Sequence, residues 1–97
     1  DALPGLYAES AQLEALLVQL RDERVATGVA SALTSQYESR VALIDASLSD
    51  PALQQPERIG LWQQRVDTLQ QLVSFETTQR WLATQGERYD GQIVAVY

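Results

Sequence analysis

The sequence predicts an all-α fold: three amphipathic helices in an antiparallel bundle or hairpin, the third one longest, followed by a short extended C-terminal tail. Apolar residues recur at steps of three and four along three segments, which is the period of an α-helix with one buried face. Breaks rich in Gly, Pro and Asp separate the segments. Because 97 residues make one ordinary domain, we expect a single helical domain over residues 1–97, with helices at about 5–26, 29–48 and 56–85 and a tail at 86–97.

The first helix is predicted to begin near Pro4, which suits a first-turn position because its missing N–H would have no helical partner there. Its apolar face ends before a charged cluster at 21–24, which we expect to be solvated, and Thr27-Gly28 breaks the pattern. The predicted buried face consists of Leu6, Leu13, Leu16, Leu17 and Leu20.

The second helix is predicted to end at Ser49, where Asp50 can cap a short turn that has Pro51 at its first position. Its apolar residues recur in steps of four, four, three and four, which indicates one buried face. They are Leu33, Tyr37, Val41, Ile44 and Leu48.

The third helix opens at Gln55-Pro56 and is predicted to end before Gly86, since glycine accepts the left-handed conformation that closes many helices. Tyr89-Asp90-Gly91 then predicts a turn, and the β-branched segment 93–97 has strand character without a strand to pair with. That segment can pack on the helices, pair with a copy of itself or stay loose. The core stripe of this helix is Ile59, Trp62, Val66, Leu69 and Val73, with Leu72 and Leu82 beside it.

The side chains of the common catalytic and metal sites are missing from the chain. It has no His and no Cys, and all seven of its cations are Arg, so the usual zinc ligands, nucleophile–base pairs and Schiff-base lysines are unavailable. We therefore expect neither an enzyme nor a metal or cofactor site, and we expect no small-molecule ligand. The carboxylates are expected on the solvated surface, Trp62 in the core, and Arg21, Arg24, Arg65 and Arg80 in solvent or in ion pairs.

The charge and the start of the chain restrict its partners and its setting. A net charge of −6 without a basic segment argues against nucleic acid as a partner. The chain contains no Met, so we interpret it as a piece of a longer protein. Its longest apolar run, Ile93 to Tyr97, is too short to cross a bilayer, and we expect any membrane segment outside this stretch.

The predicted third helix outreaches the other two by about 15 Å, which would leave its last turns without a neighbour. Exposed apolar patches of that kind mark interfaces. A kinked helix or a folded-back tail would cover the patch within one chain, whereas a second copy would cover it by forming a homodimer, the partner we expect. The candidate interface residues are Phe75, Trp81, Leu82, Tyr89, Ile93 and Val94.

Three stretches of the chain together resemble a known family, the C-terminal extracytoplasmic part of small single-pass membrane proteins of gammaproteobacteria described as anti-sigma-factor-like. The resemblance covers nearly the whole chain and rests on a likeness of pattern without catalytic or binding motifs. The stretches are Leu6-Tyr7-Ala8-Glu9-Ser10 with Leu13-Glu14 and Leu20-Arg21-Asp22-Glu23-Arg24-Val25; Ala42-Leu43-Ile44-Asp45; and Leu61-Trp62-Gln63-Gln64-Arg65-Val66 with Arg80-Trp81-Leu82-Ala83 and Gly86-Glu87-Arg88-Tyr89-Asp90-Gly91.

The resemblance implies a non-catalytic sensor or assembly domain in the periplasm. In that architecture a cytoplasmic segment holds a sigma factor, one helix crosses the inner membrane, and a helical region like this one lies outside. The sigma-binding segment and the membrane helix are not in this stretch, and the resemblance assigns no functional residue to it. The alternative, which needs no family, is a cytoplasmic helical adaptor or structural domain that binds a partner helix in a groove.

Overall fold

The computed structural model describes the backbone of residues 1–22 and 28–96 and the side chains of residues 1–20, 30–82 and 84–85. Three helices make up this part of the chain: α1 is Leu3–Asp22, α2 is Gly28–Leu48 and α3 is Gln55–Val96. No strand occurs among the described residues. The predicted all-α class and the longest third helix are therefore confirmed.

The third helix is the axis on which the other two pack. Along the described backbone, α1 and α2 each approach α3, and neither comes within 8 Å of the other, Cα to Cα. The 42 residues of α3 would span about 63 Å as a straight helix. The molecule measures 66 × 24 × 18 Å, so α3 sets its length and the kinked alternative does not apply.

Side-chain contacts give the direction of α1 along α3. Tyr7 lies against Trp62 and Ser10 against Arg65, and each pair is 55 residues apart. α1 is therefore parallel to α3, and its last residue, Asp22, lies level with residue 77 of α3.

α2 runs the opposite way along α3. Asp45 binds Arg65, whereas Thr34, eleven residues earlier, binds Glu76, eleven residues later. By this register Gly28 lies level with residue 82, so the helices run up, down and up as predicted. We call residues 83–96, which continue beyond both neighbours for about 21 Å, the α3 extension.

The core lies where all three helices contribute leucine and valine side chains. Its centre is Leu17, Leu69 and Leu72, and Leu72 is only 1% exposed. Around them pack the partly buried Leu13, Tyr37, Val41 and Val73. Six of these seven side chains lie on the predicted apolar stripes, and Leu72 lies beside its stripe, as predicted.

Two predicted core positions are wrong because the neighbouring residue takes the buried place. Leu16 and Leu33 are exposed, while Leu17 and Thr34 are buried. Consecutive residues on a helix point about 100° apart, so only one of each pair can face α3.

The start of α1 and the turn between α2 and α3 show the predicted local chemistry. The Asp1 carboxylate accepts a hydrogen bond from the Leu3 N–H at 3.1 Å, which places Pro4 in the first turn of α1. Between α2 and α3, the Asp50 carboxylate accepts from the Ala52 N–H at 2.9 Å, as predicted for the turn after α2. Arg58 donates to the carbonyl of residue 48 at 3.2 Å and so satisfies a free acceptor at the end of α2.

The predicted end of the third helix is wrong. The backbone remains helical through Gly86 and through the expected turn at Tyr89-Asp90-Gly91 as far as Val96, so the tail is not extended. A lone strand would leave its N–H and C=O groups without protein partners, whereas a helix pairs them internally. The described part of α1 reaches Asp22, and its predicted boundary at 26 lies outside the described residues.

None of the described helices is both long and apolar enough to cross a bilayer.

We predict that Leu72→Ala destabilises the protein by about 2–5 kcal/mol, because truncating a fully buried leucine removes apolar contacts and leaves a cavity. Leu43→Ala is the matched control, since Leu43 is 70% exposed, and should change the free energy of unfolding by less than about 0.5 kcal/mol. Urea unfolding followed by circular dichroism measures both. Equal effects of the two substitutions would contradict the assigned core.

Candidate functional site

One polar cluster joins all three helices. It comprises Ser10 and Glu14 of α1, Asp45 of α2 and Arg65 of α3, and we call it the Arg65 clamp. Ser10 is buried because it occupies a place on the inward face of α1, where it follows Leu3 and Leu6 at helical steps. Arg65 lies between the two neighbouring helices and can therefore reach both.

The guanidinium of Arg65 uses most of its donors within the clamp. Nε donates to Asp45 Oδ1 at 2.7 Å and Nη2 to Asp45 Oδ2 at 3.3 Å, a two-point pairing that suits the planar guanidinium. Nη2 also donates to Glu14 Oε1 at 2.6 Å, and Nη1 donates to the Ser10 hydroxyl. Four hydrogen bonds from five N–H groups leave little capacity for an outside anion.

Two aromatic rings cover one side of the clamp. The Arg65 Cζ lies 5.6 Å from the centre of the Trp62 ring, and Tyr7 meets Trp62 edge-on at 4.6 Å between centroids. The Arg65 side chain is only 11% exposed as a result. Trp62 is thus partly buried at the junction of α1 with α3.

Arginine is charged at every practicable pH, and the clamp raises the pKa of Arg65 further. The hydrogen bond to Asp45 raises the Arg65 pKa most, burial opposes the rise, and Glu14 adds to it. A raised pKa stabilises the folded state below the unfolded value and loses that effect only as the pH climbs through the folded value. Both values lie far above neutrality, so the contribution of Arg65 itself is constant in the ordinary working range.

A second polar contact lies further along α3. The Thr34 hydroxyl donates to Glu76 Oε1 at 3.0 Å, and both side chains are buried between α2 and α3. This contact was not predicted, although Thr34 stands at a helical step from Tyr37 and so falls on the buried face. Like the clamp, it fixes the register of two helices.

The predicted interface residues do not all lie together. Trp81 and Leu82 are 58% and 49% exposed, at the level where α2 begins. Phe75 was expected among the uncovered residues, but this is wrong, because it is partly buried against Tyr37 of α2 with 6.1 Å between ring centroids. Tyr89, Ile93 and Val94 lie on the α3 extension, and their side chains are outside the described residues.

Exposed large apolar side chains concentrate at the end of the molecule from which the α3 extension leaves. A residue of α1 is level with the α3 residue 55 positions later, and the numbers of level residues in α2 and α3 add up to 110. On this basis five of the seven such side chains in the described part lie level with residues 71–82 of α3. Tyr7 and Leu43 are the other two. The five are Leu16, Val18, Leu33, Trp81 and Leu82.

Other features of the described surface are less suited to binding a partner. A shallow groove of about 300 Å³ between α1 and α2 has Leu69 and Leu72 as its floor, and these belong to the core. Among the described side chains, no group of three or more His, Cys, Asp or Glu is placed to hold a metal ion. The exposed apolar end is therefore the feature best suited to binding.

We predict that Arg65→Lys lowers the free energy of unfolding by about 1–3 kcal/mol, because lysine keeps the charge but loses the two-point pairing with Asp45 and the bond to Ser10. Arg40→Lys is the control, since Arg40 is exposed and lies over the Tyr37 ring without bridging two helices. In double-mutant cycles, Asp45→Asn should couple to Arg65→Lys more strongly than Glu14→Gln does. Additive effects in both cycles would show that the clamp contributes nothing as a unit.

Comparison with protein-family models, with curated proteins and with solved structures finds no match for this chain. What the domain does is therefore inferred from its own geometry and from the resemblance described above.

Proposed function

We propose that this chain is a non-catalytic protein-interaction domain, the sensor or assembly part of a membrane-anchored regulator with anti-sigma-factor-like architecture, located outside the cytoplasm. The observation that carries the proposal is the exposure of Trp81 and Leu82 where α3 leaves the body of the domain. Concentrated apolar exposure favours an interface, and aromatic side chains are enriched at interface centres.

The arrangement of polar groups supports binding of a protein more than chemistry on a small molecule. The donors of Arg65 are occupied by Ser10, Glu14 and Asp45, and buried Glu76 accepts from Thr34. Charged groups that are already paired within the fold are poorly placed to orient a substrate. The exposed apolar end has no such internal use.

The resemblance supplies the setting of the proposal. A domain outside the membrane, joined through one helix to a sigma-binding segment inside, can influence transcription when a partner binds it. Such coupling requires that the partner favour one state of the parent protein over another. The exposed end around Trp81 is the surface that we assign to this partner.

We predict that alkaline phosphatase inserted after Tyr97 of the parent protein, expressed in its own host, is active, and that a green fluorescent protein at the same place is dark. The enzyme folds only outside the cytoplasm and the fluorescent protein only inside. The opposite pattern would favour the cytoplasmic adaptor.

We also predict that Trp81→Ala in the parent protein changes transcription from the promoter of its sigma factor several-fold, because it removes an exposed partner contact. Leu43→Ala is the matched control, because Leu43 is also exposed, at 70% against 58% for Trp81, but is remote from the proposed surface. Immunoblotting checks that both variants accumulate normally. A response of the reporter to neither variant, or to both alike, would contradict the assigned surface.

A further inference from the structure

We propose that residues 30–36, in the first half of α2, form a gate that opens from α3 while the rest of α2 stays packed, and that this opening enlarges the binding surface beside Trp81 and Leu82. We call residues 30–36 the α2 gate. The inference rests on the proposed function in one respect, since it treats the exposed end around Trp81 as the surface of the partner.

The side chains that the α2 gate turns toward the rest of the domain are small. Ala30 and Thr34 are buried, at 6% and 3% exposed, and Ser31 is partly buried. Leu33, the one large apolar residue of the gate, is 37% exposed. Burial of an alanine and two hydroxyl residues removes little apolar surface from water, so the gate gains little free energy by packing on α3.

The second half of α2 is held by larger side chains. Tyr37 and Val41 pack against the core cluster, and Ile44 is only 9% exposed. Asp45 adds the two-point hydrogen bonding with Arg65. Segments with few buried apolar contacts open at a lower free energy than well-packed segments do. α2 therefore divides into a firmly packed part that begins at Tyr37 and a weakly packed gate before it.

α1 does not weaken along the same stretch of α3. The α2 gate lies level with residues 74–80 of α3. Leu17 and Leu20 of α1, at 3% and 8% exposed, lie level with residues 72 and 75. Opening of the gate therefore leaves α1 packed on α3, and the domain stays folded while one surface changes.

Opening uncovers side chains of α3 that adjoin the exposed end. Phe75, which is partly buried, and Glu76, which is 3% exposed, are level with residues 35 and 34 of the gate. The Thr34 hydroxyl donates to Glu76 in the closed gate, and water can take its place at the carboxylate when the gate opens. Phe75 lies two helical turns from Leu82, so a partner bound at the exposed end gains apolar contact area from the open gate and favours it.

Hydrogen exchange of the 97-residue chain, followed by NMR at low concentrations of denaturant, tests the gate. The amides of residues 32–36 have acceptors within α2. We expect them to exchange through one common opening that is populated at least about tenfold more than the opening that exposes the amides of residues 41–48. Fraying of a helix end would instead give protection that rises steadily from residue 32 to residue 36. Such a gradient, or equal protection of both halves of α2, would overturn the proposal.

Ile44→Val tests whether the two halves of α2 open separately. Loss of one methylene group from the packed half should speed exchange of residues 41–48 several-fold. Exchange of residues 32–36 should not change, because the gate opens without breaking the contacts of Ile44. Equal acceleration of both segments would show that α2 opens as one unit, which contradicts the gate.

Ser31→Leu and Ser35→Leu test whether poor packing is the cause of opening. Both substitutions raise helix propensity to the same extent, but Ser31 is partly buried and Ser35 is exposed. Since Ser31→Leu adds an apolar side chain at the contact, it should slow exchange of residues 32–36 about tenfold, and Ser35→Leu should slow it by less than about threefold. Equal effects of the two substitutions would sink the packing argument and the gate with it.

The gate and the proposed function can fail separately. In the parent protein, Ser31→Leu should change transcription from the promoter of its sigma factor several-fold, with Ser35→Leu as the control. A reporter that responds to Trp81→Ala but not to Ser31→Leu would overturn the coupling of the gate to the partner. A reporter that responds to neither would overturn the proposed function and leave the gate, which hydrogen exchange establishes on its own.

Discussion

The fold depends on one arginine that links two helices which do not pack on each other through their backbones. α1 and α2 both lie along α3, and Arg65 holds Ser10 and Glu14 on one side and Asp45 on the other. One ordered side chain thus fixes two interfaces, so less conformational entropy is lost than two separate ion pairs would cost. Glu14 and Asp45 are about half exposed, so their Coulomb attraction to Arg65 is screened by water. The clamp therefore contributes more to the alignment of α1 and α2 along α3 than to electrostatic stability.

The sequence was informative wherever structure depends on local periodicity or capping, and less so where it depends on three helices meeting in space. The stripes and the Asp50 turn follow from spacing and turn chemistry, and they were predicted. Ser10 could have been found, since it occupies a helical step within a leucine face, but its partner could not. Arg65 was expected in solvent or in an ion pair, and only the assembled fold shows that it is in ion pairs with both neighbours.

The stretches that resemble an anti-sigma-factor-like family include residues that hold the fold together. Its stretches include Tyr7 and Ser10 in α1, Asp45 in α2, and Trp62 and Arg65 in α3, which are all members or neighbours of the clamp. A likeness that rests on packing residues supports a shared fold more directly than a shared function. The proposed function therefore rests on the stretch around residue 81, which the clamp does not use.

The last turns of α3 show why a helix can continue past Gly86, where the sequence predicts its end. Gly86 favours a C-terminal cap, yet a cap is useful only if the chain can then turn toward another element. The described fold offers no strand for the apolar residues that follow and no helix beyond residue 82 to fold back upon. Continuing the helix pairs the backbone N–H and C=O groups within one chain, which an unpaired strand could not do.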